Sequence, residues 1–127
     1  AREYGVADRV IFAGVTREVE KYYGASDIFA MPSVYDTFGM AVLEAMASGL
    51  PVIISQTVGA RDLVNDGVEG FVLSDPPTAV ELSEKIDFLS NAENLLKMGD
   101  RARNRALKHD WDRVADRVAA LYLEHFR

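Results

Sequence analysis

The chain contains no cysteine in 127 residues. Disulfides and thiolate metal sites are thereby excluded, and a reducing, cytoplasmic setting is expected. Histidine is scarce, with two residues, and the 14 Lys and Arg are outnumbered by 20 Asp and Glu. At a net charge of −6, with no run of basic residues, nucleic acid is not an expected partner. No apolar run approaches the roughly 18 residues of a membrane span, and no signal peptide is visible. Chemical signatures are missing too: there is no G-x-G-x-x-G after a strand, no P-loop, no G-x-S-x-G elbow and no H-E-x-x-H. Their absence weakens dinucleotide oxidoreductase, ATPase, esterase and zinc-hydrolase readings together. The chain opens AREYG, without methionine, and is expected to be a piece of something longer.

What is there suits one globular unit with a core: 49% hydrophobic and 27% charged residues. Residues 1 to 9 read as the end of a helix closed by Gly5. A strand is expected over Val10 to Ala13, then a short helix from Thr16, as N-cap, to Tyr23. Further strands are expected at Ile28 to Met31, Val52 to Ser55 and Gly70 to Leu73. The second of these has no alternation, as in a parallel strand covered on both faces. Gly59 to Val64 reads as a short helical segment. After Asp75-Pro76-Pro77 the period becomes helical, with three helices marked by Val80 to Leu89, Leu95 to Leu107 and Trp111 to Phe126. Strands alternating with helices, then a helical tail, indicate an α/β doubly wound parallel sheet.

Chemistry is concentrated in Pro32 to Pro51, PSVYDTFGMAVLEAMASGLP. A helix is expected from Phe38 to Ser48, apolar or small on every face, so that its one charge, Glu44, should be a buried, paired carboxylate. Gly39 in the first turn would let something approach the backbone closely. The free amides of Phe38 to Ala41 would face an anion, with Glu44 reaching back toward it. Phosphate at the helix mouth and hydroxyls near a carboxylate describe a nucleotide or a nucleotide-sugar. The residues alone equally admit a packing glycine and a Glu44 paired with an arginine. Asp110-Trp111-Asp112 could hold a divalent metal, but a helix cap with Trp111 packed is the stronger reading, so no metal site and no cofactor are expected. His109 and His125 read as surface or packing residues, and Tyr4, Tyr22 and Tyr23 as half-buried helix residues.

Taken together, DRVIFAG, YYGASDIFAMPSVYDTFGMAVLEAMASGLPVI and GARDLVNDGVEGFVL resemble the C-terminal, nucleotide-sugar-binding half of retaining glycosyltransferases of the GT-B fold, family 4 (group 1). The resemblance runs over nearly the whole chain, the Trp111 region included. It implies a Rossmann-like doubly wound sheet, incomplete, with a helical tail, and sugar transfer from a nucleotide-sugar with retention and without a metal. The family carries two glutamates separated by seven residues. Glu44 matches the second, which in the family holds the ribose hydroxyls. The first falls on Asp36, a shorter acid, where relatives hydrogen-bond the transferred sugar; the resemblance makes Asp36 the catalytic position. Thr37, Phe38, Gly39, Met40 and Ala41 match the segment whose amides face the diphosphate and sugar, and Gly14 and Val15 complete the implied donor-binding set. Asp62 replaces a usual Glu at a position read as structural.

The family's C-terminal half opens with two strands and the basic residues that grip the diphosphate, and neither is found here. Residues 1–127 would then be a partial donor-binding domain, inactive alone. The acceptor, whether glycan, lipid or small molecule, would be held mainly by an absent N-terminal domain, through which peripheral membrane association stays open. With two strands missing, Val10 to Ala13 is expected to pair directly with Ile28 to Met31 in a rearranged four-stranded sheet, or to exchange strands in an oligomer. Two other functions share the same residues: a nucleotide-sugar epimerase of this fold, and a degenerate interaction domain, for which Asp36 is the best support.

Overall fold

A computed structural model describes residues 1–126. Three parallel strands form its centre, β1 (Phe29–Met31), β2 (Val52–Ser55) and β3 (Gly70–Leu73), in the order β1-β2-β3. Around them lie α1 (Val19–Gly24), α2 (Met40–Ala47), α3 (Ala79–Leu89), α4 (Ala92–Ala106) and α5 (Trp111–His125). The registers Phe29 to Val52 and Val52 to Gly70 place the strand starts side by side. Parallel neighbours need a crossover, and α2 supplies it between β1 and β2, while a 3₁₀ helix at Gly59–Leu63 does so between β2 and β3.

The period of two along β2 divides the core. Val52 and Ile54 face a layer of Tyr23, Val42, Ala45, Met46, Val58 and Ala102, whereas Ile53 faces Phe71, Leu73, Leu89 and Met98. All four β2 residues are buried, which is why the strand shows no polar alternation. Each fully buried aliphatic here stabilises the fold by about 1.5–3 kcal/mol relative to exposure. The tail helices are capped as their sequence allows. Thr78 accepts from the Glu81 amide, Asn91 from Glu93 and Asn94, and Asp110 from Arg113.

Several expectations need correction. Val10 to Ala13 forms no strand, and the sheet has three strands, not four. Ile11 and Phe12 are 90% and 88% exposed. An apolar run becomes a strand only where a backbone edge accepts it, and β1, three residues long, pairs with β2 alone. Residues 1–9 are a turn and a 3₁₀ helix, with the Gly5 amide bonded to the Arg2 carbonyl (3.1 Å). Thr16 precedes α1 instead of capping it, its Oγ1 accepting from the Glu18 amide (3.0 Å). Tyr4 and Tyr22 are exposed and Tyr23 is buried, so half-burial fits none of the three. No side chain of α5 is buried among the described residues, and Trp111 is 75% exposed.

Candidate functional site

The segment leading from β1 into α2 is fixed by the strand beside it. Buried Ser55 donates its hydroxyl to the Ser33 carbonyl, and Thr57 Oγ1 donates to the same oxygen (3.0 Å). Asp36 and Val58 form a parallel bridge, in which the Gly59 amide donates to the Asp36 carbonyl (3.1 Å). The loop is thus a one-rung extension of the sheet beyond the carboxyl ends of β1 and β2, where ligands of open α/β sheets bind. Gly59 is required there, because a β carbon would collide with the Thr37 carbonyl.

Asp36 is half-buried, and its Oδ1 accepts the Phe38 amide (3.1 Å), an Asx turn that points the chain into α2. Gly39 is the N-cap at φ +83°, a left-handed conformation costly for other residues. A β carbon on Gly39 would stand 2.9 Å from Val58 Cγ1 and 3.3 Å from Val42 Cγ2. The group that approaches this glycine is therefore the protein's own core, and its left-handed turn opens α2 one residue after Gly39. The first-turn amides of Met40 and Ala41 have no partner four residues back, while Val42 donates to the Gly39 carbonyl (2.8 Å). No acidic residue occupies that first turn.

Glu44 is not buried. It lies on the exposed side of α2, about 200° round the helix from buried Val42. The outward face looked like core because Met40, Leu43 and Ala47 are apolar or small. No cation pairs with Glu44 among the described residues. Its Oε2 instead accepts the hydroxyl of Tyr23 (3.1 Å), whose ring sits on Phe29 edge to face at 6.0 Å. Burial first, then the hydrogen bond to Glu44 and its negative charge, push the Tyr23 hydroxyl above its usual pKa of 10.0.

Two depressions flank the helix start. One, of about 310 Å³, is lined by Tyr35, Asp36, Thr37, Gln56, Thr57, Gly59, Arg61 and Asp62. Arg61 is the cation that sequence reasoning missed; its one signal is its place two residues after Gly59. Its Nη1 lies 3.5 Å from Asp62 Oδ1, an exposed contact worth little. Asp62 is accordingly an exposed rim residue. The other depression, of about 390 Å³, is apolar and lined by Phe38, Met40, Leu43, Leu63, His109, Trp111 and Val114. It gives the exposed apolar residues of α2 a common wall with the start of α5, and His109 is half-buried there.

The structure thus gathers Asp36, Thr37, Phe38, Gly39, Met40 and Ala41 at one mouth, with Glu44 one turn beyond. Gly14 and Val15 are not joined to it. They lie on the exposed stretch before α1, line neither depression, and Val15 is wholly in solvent. Among the described residues no three His, Asp or Glu side chains are grouped as a metal would need, and no helix is long and apolar enough to cross a membrane.

Residues 1–108 match the family model of the glycosyl transferases group 1. The whole chain aligns with 28% of the D-inositol 3-phosphate glycosyltransferase of Streptomyces bingchenggensis, at 32% identity. The homologous enzyme of Nocardia farcinica is 31% identical over 96% of this chain and 28% of its own length. Among solved structures, sucrose-phosphate synthase from Thermosynechococcus elongatus superposes with a TM-score of 0.88 at 31% identity, over 98% of this chain and 32% of that one. The Anabaena protein HepE, solved in complex with UDP and glucose, gives a TM-score of 0.85 at 27% identity, over 97% and 34%. The chain therefore spans less than a third of the curated relatives quoted.

Proposed function

This chain belongs to the group 1 glycosyl transferases, as a C-terminal domain of that family, and from that premise we propose that its protein transfers a sugar from a nucleoside-diphosphate sugar to an acceptor with retention of configuration and without a metal ion. The observation that carries the reading is the juxtaposition at one helix mouth of Asp36, the first-turn amides and, one turn on, Glu44. The amides of Gly39 to Ala41 and the positive end of α2 receive the diphosphate. Glu44 takes the ribose hydroxyls, for which its exposure is an advantage, since a carboxylate sealed in the core could not meet a ligand. Asp36 faces the transferred sugar with the oxygen not used by the Phe38 amide. Catalysis is then mainly electrostatic, by donors fixed in advance around the departing diphosphate, with Arg61 as this domain's own cation at the rim.

The same reading makes residues 1–127 a partial donor domain of a cytoplasmic protein. The acceptor, glycan, lipid or small molecule, is bound by a further domain, which also makes any contact with a membrane surface. HepE's complex with UDP-glucose supports the class of donor. Calorimetric titration of UDP and GDP into the full-length protein and its Glu44→Ala variant tests the site. Loss of a charge-assisted hydrogen bond costs about 1.5–3 kcal/mol, so the variant is expected to bind roughly 10- to 150-fold more weakly. Unchanged affinity overturns the assignment. Retention and metal independence are tested by the anomeric NMR signal of the first product formed in EDTA: an inverted product, or no product, refutes them.

A second reading is favoured by one observation, the use of an Asp36 oxygen to hold the Phe38 amide. A non-catalytic binding domain would keep Asp36 for that turn alone. Asp36→Asn, which keeps an oxygen for the turn, separates the two: a transferase loses turnover, a binding domain loses nothing.

A further inference from the structure

We propose that Tyr23 is a positioning residue for the donor, its hydroxyl holding Oε2 of Glu44 so that Oε1 is presented to the ribose diol; the proposal rests on the reading of Glu44 given above. Glu44 itself is exposed and no cation pairs with it among the described residues, so little else restrains a side chain with several rotatable bonds. Tyr23 is restrained. It is the one buried residue of α1, 9% exposed, and its ring is set edge to face on Phe29 of β1. A rigid aromatic fixed by the sheet therefore delivers one hydroxyl to one carboxylate oxygen at 3.1 Å. A carboxylate offers about four acceptor positions, so the bond leaves Oε1 and part of Oε2 for a ligand. The raised pKa of Tyr23 keeps the hydroxyl protonated, and so a donor, throughout the neutral range. Held in advance, Glu44 gives up less rotamer freedom when the nucleotide arrives.

A purely structural bond, stapling α1 to α2, has the same geometry but a different consequence, since it would not distinguish a ribose from a sugar lacking its hydroxyls. The full-length protein, with Tyr23→Phe, Glu44→Gln and the double variant, is titrated with UDP or GDP, whichever the parent binds more tightly, and with the 2′,3′-dideoxy analogue of that nucleotide. Tyr23→Phe keeps the ring and its packing. It is expected to weaken the ribonucleotide about five-fold, to leave the dideoxy analogue unchanged, and to add nothing in the Glu44→Gln background. If Glu44→Gln weakens the ribonucleotide while Tyr23→Phe weakens both nucleotides equally, or neither, the positioning role is overturned and the Glu44 reading stands. If Glu44→Gln changes nothing, the Glu44 reading fails and the proposal fails with it.

Discussion

Replacing Gly39 by alanine concentrates the local argument in one methyl group. At φ +83° an L residue costs roughly 1–2 kcal/mol more than glycine. The added carbon would stand 2.9 Å from Val58 Cγ1 and 3.3 Å from Val42 Cγ2. Both valines are fully or almost fully buried, at 1% and 0% exposure, so neither can swing into open space. Overpacking of this kind adds about 1–3 kcal/mol. Gly39→Ala is thus expected to destabilise the chain by about 2–5 kcal/mol, lowering the melting temperature by roughly 7–20 °C. Gly24→Ala is the control. Gly24 ends α1 without positive φ, and an added carbon meets nothing within 4 Å. There alanine is expected to be neutral or to stabilise by up to about 1 kcal/mol. Urea denaturation followed by circular dichroism measures both variants side by side. A Gly39→Ala variant within 0.5 kcal/mol of the parent would refute the left-handed turn and the tight approach of Val58 together.

Asp36→Asn is expected to lower turnover by at least about 100-fold with donor affinity within a few-fold, read from steady-state rates and calorimetry on the same protein. Ser55→Ala removes the hydroxyl that anchors the Ser33 carbonyl and should destabilise by about 1 kcal/mol in urea melts, since Thr57 still satisfies that oxygen. Glu81, held below its ordinary pKa of 4.5 by hydrogen bonds from Ser74, contributes stability that is present above pH 4.5 and lost as pH falls through its lowered value. Thermal melts between pH 3 and 6 should therefore show a shallower acid slope in Glu81→Gln. On the proposed reading, in which a further domain binds the acceptor, residues 1–127 alone are expected to transfer no sugar; product detected by mass spectrometry would contradict this.

The middle of the chain was the most legible part. Val52 to Ser55 and Gly70 to Leu73 are strands at the residues their composition indicated. Both are short, rich in apolar residues, and set off by Pro51, the turn at Asn65 to Gly67 and Pro76, so the local and tertiary demands agree. Val10 to Ala13 has similar composition and failed, because a strand is completed by a neighbour's backbone and composition does not say whether the neighbour is present. The angular position of Glu44 was computable from the sequence, since Val42, Ala45 and Met46 already define the opposite face. Residue type hides it, because outward apolar residues that line a groove, Met40 and Leu43 among them, are indistinguishable by type from core. Arg61 and Tyr23 were illegible for another reason: each meets the mouth only after β2 or α1 is folded against α2.

On the proposed function, the mouth of α2, with Glu44 one turn inside, receives a nucleoside diphosphate. A crystal structure of the full-length protein with UDP tests it most directly. Diphosphate oxygens are expected at hydrogen-bond distance, about 2.7–3.2 Å, from the amides of Gly39 to Ala41, and ribose hydroxyls on Oε1 of Glu44 while Tyr23 keeps Oε2. UDP bound elsewhere, with Glu44 touching only Tyr23, would contradict it.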